Sequence, residues 1–525
     1  MPFLLTTEPW IPCRALDGSH RELGLLDVLV GAHDLEGVHD ASPPVTLTVH
    51  RLLLAVLHRV FGPSDLGAWR MLYTRGSFDA SALRGYFEAH RDRFDLLHPV
   101  RPFYQVRGLT KLYQPDGVGR LVLERSNYGA SVNIFQHRAQ PAATADGLPL
   151  AAAARSLLAL QGFAPGGLVK KKDEPGSATA APLNRGAFVL LHGKSLFETL
   201  MLNLLVYAPD RGAPIPGFAA EDLPSWETPE PARQTGARES RRRPRGWIDW
   251  LTWQSRRVEL VVDDRSGLVT GVVYCVGQGL HDEGLTDPML AYRVDKTRGL
   301  VAIDLSEDRA AWRDCHALVR KVEADGAKPP QTVTQLGRFE LRSVLGARPY
   351  VVLDVIGMRG DQAAIKLARH ERVSLPSAVL VDDERLAAVG QATHAVDDIG
   401  RQLTYAVRDA VRRTLAPGDR DPDKEEVSRI AYSLGAERRY WATLATPFAT
   451  FLDELGRDDI EVAFERFARH IRAAARDCLR LATDALGVGA AKLQGAAIAE
   501  RHLHASLNEI LPVRAATHGS PGGPP

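Results

Sequence analysis

The sequence is poor in cysteine and has almost no net charge, and both features exclude classes of protein. Four cysteines are spread over 525 residues without a C-x-x-C pair, which argues against a disulfide framework and against a zinc site built from thiolates. The formal net charge is +1, so any nucleic-acid binding must come from local basic clusters. No cofactor and no bound metal ion are predicted.

Long apolar runs and an export signal are also missing. The chain begins MPFLLTTEPWIP, without a basic segment ahead of an apolar core. No stretch approaches the roughly 20 apolar residues that a bilayer requires. We therefore expect a soluble, cytoplasmic protein without a membrane partner.

Motifs of common catalytic sites are absent as well. The sequence has no H-E-x-x-H, no G-x-S-x-G and no EF-hand loop. The segment FVLLHGKS, residues 188–195, ends like a phosphate-binding P-loop, but Phe188 occupies the position of the first required glycine. We expect a strand followed by a helix start at this segment, and we predict no catalytic residue.

Three His-Asp pairs leave one enzymatic alternative open. A metal-dependent nuclease or phosphohydrolase would need such pairs together with further His and Asp ligands on neighbouring helices. Each pair has a turn-like sequence context, which favours chance occurrence. The pairs are His33-Asp34, His39-Asp40 and His281-Asp282.

The chain is long enough to form more than one packed core. Its pattern of strand-like and helical runs indicates an α+β protein. The first two thirds alternate short strand-like runs, such as VELVV at 258–262 and GVVYCV at 271–276, with helical runs. Later residues form long amphipathic helices. We predict a large mixed α/β N-terminal domain at 1–376, a C-terminal four-helix bundle at 377–515 and a flexible tail at 516–525.

The bundle prediction rests on helical periodicity. In residues 458–486, apolar residues recur at spacings of three and four and form one stripe, which must be buried. The stripe comprises Ile460, Phe464, Phe467, Ile471, Ala474, Cys478, Leu481 and Ala485. The other predicted helices cover residues 382–415, 424–455 and 491–511.

Basic residues are concentrated in three places. One is a run of three lysines after the glycines of FAPGG, in a loop-like segment at 162–182 that either binds phosphate or is simply solvated. The second is an arginine cluster at the end of another loop-like segment, 209–245, followed by WIDWLTW, whose tryptophans favour core packing. The third is an arginine stripe on the predicted helix at 458–486, which is either a binding face or an ordinary solvated one.

Four longer segments together resemble a known family. They are LLTTEPWIPCRALDG at 4–18, HPVRPFYQV at 98–106, GWIDWLTWQSRRVEL at 246–260 and VIGMRGDQAAIKLARHERVSLP at 355–376. Each is similar to a segment of the large (CasA) subunit of the type I-E CRISPR Cascade complex, in the same order. The resemblance spans nearly the whole chain and implies the same division into an α/β domain and a helical bundle.

The resemblance implies that a glycine loop, a basic finger and a glutamine wedge recognise the protospacer-adjacent motif of duplex DNA through the minor groove. The wedge falls on Gln362, flanked by Asp361 and Ala363, and the loop on Gly166 and Gly167. A glutamine amide can occupy the gap when a base pair opens, at a cost of a few kcal/mol. The lysine of the finger has no match within residues 272–278.

Two further groups of residues complete the candidate sites. The loop that contacts the 5′ handle of the guide RNA and a backbone subunit resembles residues 127–136, with Ser131, Val132 and Asn133 as the best matches. The candidate phosphate-binding residues are Lys170, Lys171, Lys172, Arg359, Arg466, Arg469, Arg472, Arg476 and Arg480.

The function implied by the resemblance is that of a non-catalytic subunit of an RNA-guided antiviral surveillance complex. It would recognise the motif in double-stranded target DNA, start unwinding and R-loop formation, and help to recruit the helicase-nuclease. Its expected partners are the guide-RNA handle, the target DNA, the backbone and small subunits, and that helicase-nuclease. The alternatives are the metal-dependent nuclease and a purely structural scaffold, whose nucleic-acid affinity would not depend on salt.

Overall fold

A computed structural model describes most of the chain: residues 2–123, 147–169, 171–215, 221–233, 239–295, 297–305, 310–319, 327–337, 349–361, 364–416 and 422–512. It divides into two compact units. The first comprises Met1–Ala311 and Ala317–Ser374, and the second comprises Trp312–His316 and Leu375–Pro525. The first unit mixes helices with small sheets and the second is helical, which confirms the predicted α+β class. The division at Ser374 and Leu375 lies next to the boundary predicted at residue 376.

The strands of the described residues are short, except for one long pair near the end of the first unit. They are β1 (Ile11–Ala15), β2 (His20–Leu23), β3 (Leu35–Val38), β4 (Asp116–Gly117), β5 (Gly167–Leu168), β6 (Ser177–Ala178), β7 (Phe188–His192), β8 (Arg241–Arg242), β9 (Arg256–Val262), β10 (Val269–Val276), β11 (Gly279–Leu280), β12 (Tyr292–Asp295), β13 (Gly299–Ala302), β14 (Ala327–Lys328), β15 (Tyr350–Asp361) and β16 (Ala364–Pro376). They form sheets in the orders β2-β1-β3, β4-β10-β9, β11-β8, β13-β12-β14, β16-β15-β7 and β5-β6.

The α-helices lengthen towards the C-terminus. They are α1 (Leu25–Val30), α2 (Pro43–Phe61), α3 (Leu66–Thr74), α4 (Ala80–Ala89), α5 (Leu150–Phe163), α6 (Leu196–Asn203), α7 (Trp247–Leu251), α8 (Cys315–Val319), α9 (Gln331–Leu336), α10 (Ser377–Val381), α11 (Asp383–Leu415), α12 (Lys424–Ser433), α13 (Ala436–Arg457), α14 (Ile460–Asp484) and α15 (Ala490–Ile510). Short 3-10 turns occur at Arg91–Phe94, Leu109–Lys111, Val118–Leu121, Pro209–Arg211, Ser225–Glu227 and Ala311–Asp314.

Helix α2 forms the centre of the first unit. Its start is set by Ser42, whose Oγ accepts a hydrogen bond from the Val45 amide at 3.3 Å, and by prolines in its first turn. Among the described residues, α2 is the one helix with the length and hydropathy of a membrane span, so the expectation that no stretch approaches that limit was wrong. Its apolar residues are buried against α5, α7 and β15, which explains the hydropathy by core packing.

The second unit contains the predicted long helices, with one break. Helices α11, α13, α14 and α15 pack against one another. The second predicted helix is divided into α12 and α13 because the chain turns at Gly435, whose φ of +68° is a left-handed conformation that favours glycine.

The apolar stripe of α14 is buried through most of its length but not at its end. Phe467, Ile471 and Cys478 lie in the core, whereas Leu481 and Ala485, predicted to continue the stripe, are exposed. Alternating spacings of three and four repeat every seven residues, and a straight helix drifts by about 20° per heptad from such a repeat. The buried face has therefore moved to Leu479 and Ala482 by the last two turns.

Candidate nucleic-acid interface

The two glycines of the predicted glycine loop are required by the local backbone. They follow α5 and begin the hairpin in which β5 pairs antiparallel with β6, with Gly167 opposite Ala178. A Cβ atom on Gly166 would lie 2.9 Å from the amide nitrogen of Ala180. Gly167 has a φ of +142°, which side-chain-bearing residues rarely adopt. The shape of this loop therefore depends on both glycines.

A buried arginine that the sequence analysis did not single out ties the two arms of this loop together. Arg256 is 1% exposed, and its Nη2 donates to the carbonyl oxygens of Pro165 at 3.0 Å and Thr179 at 2.7 Å. Its Nε donates to the hydroxyl of Tyr274 at 2.7 Å. Gln161 of α5 holds the backbone of Arg256, since its Oε1 accepts from the Arg256 amide at 2.9 Å. The buried guanidinium group of Arg256 thus holds both arms of the loop through hydrogen bonds to their carbonyl oxygens.

A buried carboxylate anchors the far end of the loop. Glu174 accepts hydrogen bonds from Arg257 Nη1 at 2.8 Å and from the hydroxyl of Tyr113 at 2.9 Å. Burial and the hydrogen bond to Glu174 raise the pKa of Tyr113, so its hydroxyl stays protonated and remains a donor. The loop is therefore attached to Arg256 at one end and to Arg257 and Tyr113 at the other.

The three lysines of the loop do not form one exposed group. The ammonium of Lys171 lies 3.4 Å from the carboxylate of Asp116, and its side chain is only 12% exposed. Lys172 is exposed. Lys170 lies outside the described residues. Lys171 therefore has an internal ion-pair partner, and Lys172 is the lysine of this loop that the structure shows facing solvent.

Residues 272–278, where the resemblance would place the lysine of the basic finger, lie mostly in the central strand of a sheet. Val272 to Val276 belong to β10, which pairs with both β9 and β4, and their side chains are buried. The exposed part of this hairpin is the turn between β9 and β10, where Oδ1 of Asp263 accepts from the Ser266 amide at 2.8 Å. Arg265 lies at this turn and is exposed. The D-D-R-S-G sequence between two strand-like runs is the signal that could have located this turn.

The predicted glutamine wedge falls between the two longest strands. β15 ends at Asp361 and β16 begins at Ala364, and Gln362 and Ala363 lie outside the described residues. Residues 127–136, with Ser131, Val132 and Asn133, also lie outside them. Nε of Arg359, near the end of β15, is 3.6 Å from the carboxylate of Asp304. Arg359 thus has an acidic partner at the surface.

A buried carboxylate joins the three strands of the sheet β16-β15-β7. Asp354 lies 3.3 Å from His192 Nδ1 and 3.2 Å from His370 Nε2, and it accepts from Arg372 Nε at 2.8 Å. Burial opposes ionisation of Asp354, but hydrogen bonds from His192, His370 and Arg372 outweigh it and hold its pKa far below the ordinary value. The base of the β15–β16 pair is therefore held by charged contacts.

Four of the five arginines of the stripe on α14 have partners within the second unit. Arg466 pairs with Glu454 at 3.3 Å and Asp458 at 2.8 Å, and Arg480 lies 3.6 Å from Asp477. Arg472 donates to the carbonyl of Leu511, and Arg476 lies 3.4 Å from His504 Nδ1. Arg469 is exposed, and no partner for its side chain is found among the described residues. Acidic residues thus offset the charge of Arg466 and Arg480, as the alternative interpretation of a solvated face expects.

The segment that resembles a P-loop uses its own side chains at the start of α6. Oγ of Ser195 accepts from the Glu198 amide at 3.3 Å, and Glu198 Oε2 accepts from the Lys194 amide at 2.7 Å. The amide of Gly193 donates to Oγ1 of Thr199 at 2.9 Å. The expected strand and helix start are confirmed, and these amides already have acceptors.

The His-Asp pairs do not converge on a common site. His281 lies 3.3 Å from Glu283, and Asp282 pairs with Arg185. His33 contacts its neighbour Asp34 at 3.4 Å on the surface. Within the described ranges, no group of three or more His, Cys, Asp and Glu side chains is arranged to hold a metal ion.

Known proteins match this chain along nearly its whole length. The profile of the family described as CRISPR-associated protein Cse1 matches residues 5–478. The CRISPR-associated protein CasA/Cse1 of Thermus thermophilus is 33% identical over 528 residues, which cover 97% of this chain and 98% of that protein. A crystal structure of CasA from Thermus thermophilus has a TM-score of 0.80 at 31% identity and covers 97% of this chain and 100% of its own.

A third match is to an assembly. A chain of a solved CRISPR RNA-guided surveillance complex has a TM-score of 0.78 at 23% identity over 96% of this chain and 99% of its own, and therefore shares the fold. The matches first define a class, that of the CRISPR-associated proteins. Within it, this chain belongs to the Cse1 family, whose members are also named CasA. The family resemblance of the four sequence segments is thereby confirmed.

Proposed function

We propose that this chain is the large subunit of an RNA-guided surveillance complex and recognises the protospacer-adjacent motif in double-stranded DNA. The observation that carries the proposal is the Cse1 family match over residues 5–478, supported by the shared fold with a chain of a surveillance complex. In this role the chain starts strand separation, and the guide RNA then reads sequence by base pairing. The chain itself cleaves neither nucleic acid nor nucleotides, and it helps to recruit the helicase-nuclease that does.

Two features connected to the β4-β10-β9 sheet support contact with a duplex. Lys171 links the glycine loop to Asp116 of β4, and Asp116 lies opposite Val272 of β10. The turn with Arg265 ends the same β9–β10 hairpin. The two glycines give the loop its shape, and backbone at Gly167 can approach a groove because no side chain intervenes. Arg265 supplies a cation that can bind phosphate or a base edge. Arg265 is accordingly our candidate for the basic finger.

Gln362 is the residue proposed to begin unwinding. Replacing Gln362→Ala removes the amide that would occupy the gap left by the first opened base pair, so R-loop formation on a supercoiled target should slow by at least about tenfold, which corresponds to about 1.4 kcal/mol. Assembly with the guide RNA and the other subunits should be unchanged. R-loop formation is followed by permanganate footprinting of the displaced strand.

A matched control comes from the second unit, where Gln391 is exposed on α11. Gln391→Ala removes the same side chain from a position outside the proposed site and should leave R-loop formation at the wild-type rate. Wild-type R-loop formation by Gln362→Ala would rule out the wedge.

The remaining partners are proposed on the family resemblance. Ser131, Val132 and Asn133 would contact the 5′ handle of the guide RNA and a backbone subunit, and the helical unit would contact small subunits and the displaced strand. The nuclease alternative gains no support, because His281 and Asp282 have other partners in Glu283 and Arg185.

A further inference from the structure

The arginine cluster before WIDWLTW lies on a well-fixed segment of the first unit. β8 pairs parallel with β11, with Arg241 opposite Gly279 and Arg242 opposite Leu280. The amide of His281 donates to the carbonyl of Arg242 at 2.9 Å. On the other side, Trp247, Trp250 and Trp253 are buried, which confirms that these tryptophans pack into the core. The segment is thus attached to the core on both sides.

The cluster consists of Arg241, Arg242, Arg243 and Arg245, and Arg242 differs from the other three because it contacts residues of the core. Its guanidinium carbon lies 4.1 Å from the ring centroid of Trp253, and its Nη2 donates to Asp249 Oδ1 at 2.9 Å. Its Nη1 also donates to the carbonyl of Arg243 at 3.1 Å. Arg242 is therefore occupied by contacts within the protein.

Arg241, Arg243 and Arg245 are exposed. Side chains alternate along an extended chain, so Arg241 and Arg243 point away from the side taken by Arg242. Pro244 between them and Arg245 is buried, and the Arg245 amide donates to Asp249 Oδ2 at 2.8 Å, which fixes the backbone there. In the part of the chain that the structure describes, none of the three guanidinium groups has a hydrogen-bond or ion-pair partner.

The acidic side chains around these arginines are engaged elsewhere. Asp249 is bound by Arg242, Asp282 pairs with Arg185, and Glu283 lies 3.3 Å from His281. Oε2 of Glu239 accepts from the Thr179 amide at 2.9 Å. Glu239 is thus the acidic side chain on the segment that offsets part of the charge, and the three arginines outnumber it.

The contact between Glu239 and Thr179 also joins this segment to the glycine loop. Thr179 is held on its carbonyl side by Arg256 Nη2 at 2.7 Å, the guanidinium group that also binds Pro165 of the loop. The segment that carries the exposed arginines is therefore adjacent to the glycine loop. A duplex bound at the loop would lie close to this segment.

We propose that Arg241, Arg243 and Arg245 form a binding surface for the phosphate backbone of double-stranded DNA beside the glycine loop. Guanidinium groups bind phosphate oxygens through two parallel hydrogen bonds, and a fixed backbone reduces the entropy lost on binding. The surface positions the duplex without reading its sequence. The inference rests on the proposed function, because that function brings duplex DNA to the glycine loop.

The test compares the salt dependence of binding for two duplexes, one with the motif and one without it. The full chain, assembled with guide RNA and its partner subunits, carries Arg241→Gln, Arg243→Gln and Arg245→Gln together. Loss of three phosphate contacts lowers the slope of log K against log salt by about 0.9 per contact, or by roughly 2 to 3 in total. Affinity should fall by the same factor for both duplexes. The double variant Arg243→Gln with Arg245→Gln, which leaves β8 unchanged, should show about two thirds of this decrease.

Matched controls separate this surface from a general loss of charge. Arg70→Gln, Arg84→Gln and Arg91→Gln remove three exposed arginines from α3, α4 and the turn after α4, and should keep the wild-type slope. The triple variant Arg241→Lys, Arg243→Lys and Arg245→Lys should also keep most of the slope, since the charge is retained. A wild-type slope in the glutamine variants overturns the proposal, and so does a loss confined to the motif-bearing duplex. Failure of the proposed function appears separately, as equal affinity of the wild-type complex for the two duplexes.

Discussion

Arginines have opposite surroundings at the base of the glycine loop and on the exposed face of α14. Arg256 is buried and donates to Tyr274, Ser255, Pro165 and Thr179. Arg469 on α14 is exposed to solvent. The first arginine determines the path of the chain, and the second is available to a ligand. Burial therefore says more about the role of a basic residue here than residue type does. Three substitutions, at a buried arginine, a buried histidine and an exposed arginine, can test this comparison of buried and exposed basic residues.

The largest effect is expected at the buried arginine. Arg256→Ala leaves the carbonyls of Pro165 and Thr179 without their donor and opens a cavity, so the free energy of unfolding should fall on the order of 3 kcal/mol. Urea unfolding followed by tryptophan fluorescence measures this loss. Affinity for motif-bearing DNA should fall as well, because both arms of the glycine loop are released. Wild-type stability would show that Arg256 does not organise the loop.

A smaller effect is expected from a buried histidine, and it depends on pH. Burial lowers the pKa of His58 from 6.5 to about 3, and both ring nitrogens lack partners. At pH values between these two pKa values, His58 binds a proton in the unfolded chain but not in the folded one. The buried His58 therefore does not lower the free energy of unfolding above about pH 7.5. Below that pH the free energy of unfolding declines, and by pH 5 it has fallen by about 2 kcal/mol.

His58→Leu should remove this part of the acid sensitivity while leaving that of His50, whose pKa burial lowers to about 4. Urea unfolding midpoints at pH 7.5 and pH 5 measure the difference. His470 is exposed on α14, and His470→Leu should retain the full pH dependence. An equal loss between the two pH values in wild type and His58→Leu would contradict the assignment.

The smallest effect on stability is expected at the exposed arginine. Arg469→Ala should change the free energy of unfolding by less than about 0.5 kcal/mol, because the side chain is exposed and has no hydrogen-bond or ion-pair partner among the described residues. If the α14 face binds the displaced strand as proposed, the salt slope of R-loop binding should fall by about 0.7 for this single-stranded contact. A stability loss comparable to that of Arg256→Ala would remove the contrast between the two arginines.

The helical unit was largely predictable because its signals are local. Helix spacing, turn residues and the change of pattern near residue 376 all lie within short windows. The errors were local as well: Gly435 divides one helix, and the heptad spacing of α14 drifts away from Leu481 and Ala485.

The candidate site was only partly predictable. The sequence singled out Gly166 and Gly167, whose contact with DNA stays a prediction. It did not indicate Arg256, Arg257 and Glu174, because their partners are distant in sequence. Arg257 and Glu174 are separated by 83 residues. The search for the finger at 272–278 failed for a related reason, since a valine-rich run does not reveal that it will be covered by strands on both sides.

The sequence by itself determined the family, the α+β class and the positions of the long helices, because these depend on motifs and on periodicity along the chain. Only the tertiary structure decided which basic residues support the fold and which face solvent. Arg241, Arg242 and Arg243 are identical neighbours in sequence, yet Trp253 and Asp249 engage only the middle one. Desolvation and pairing depend on residues that folding brings together, and a linear pattern does not contain them.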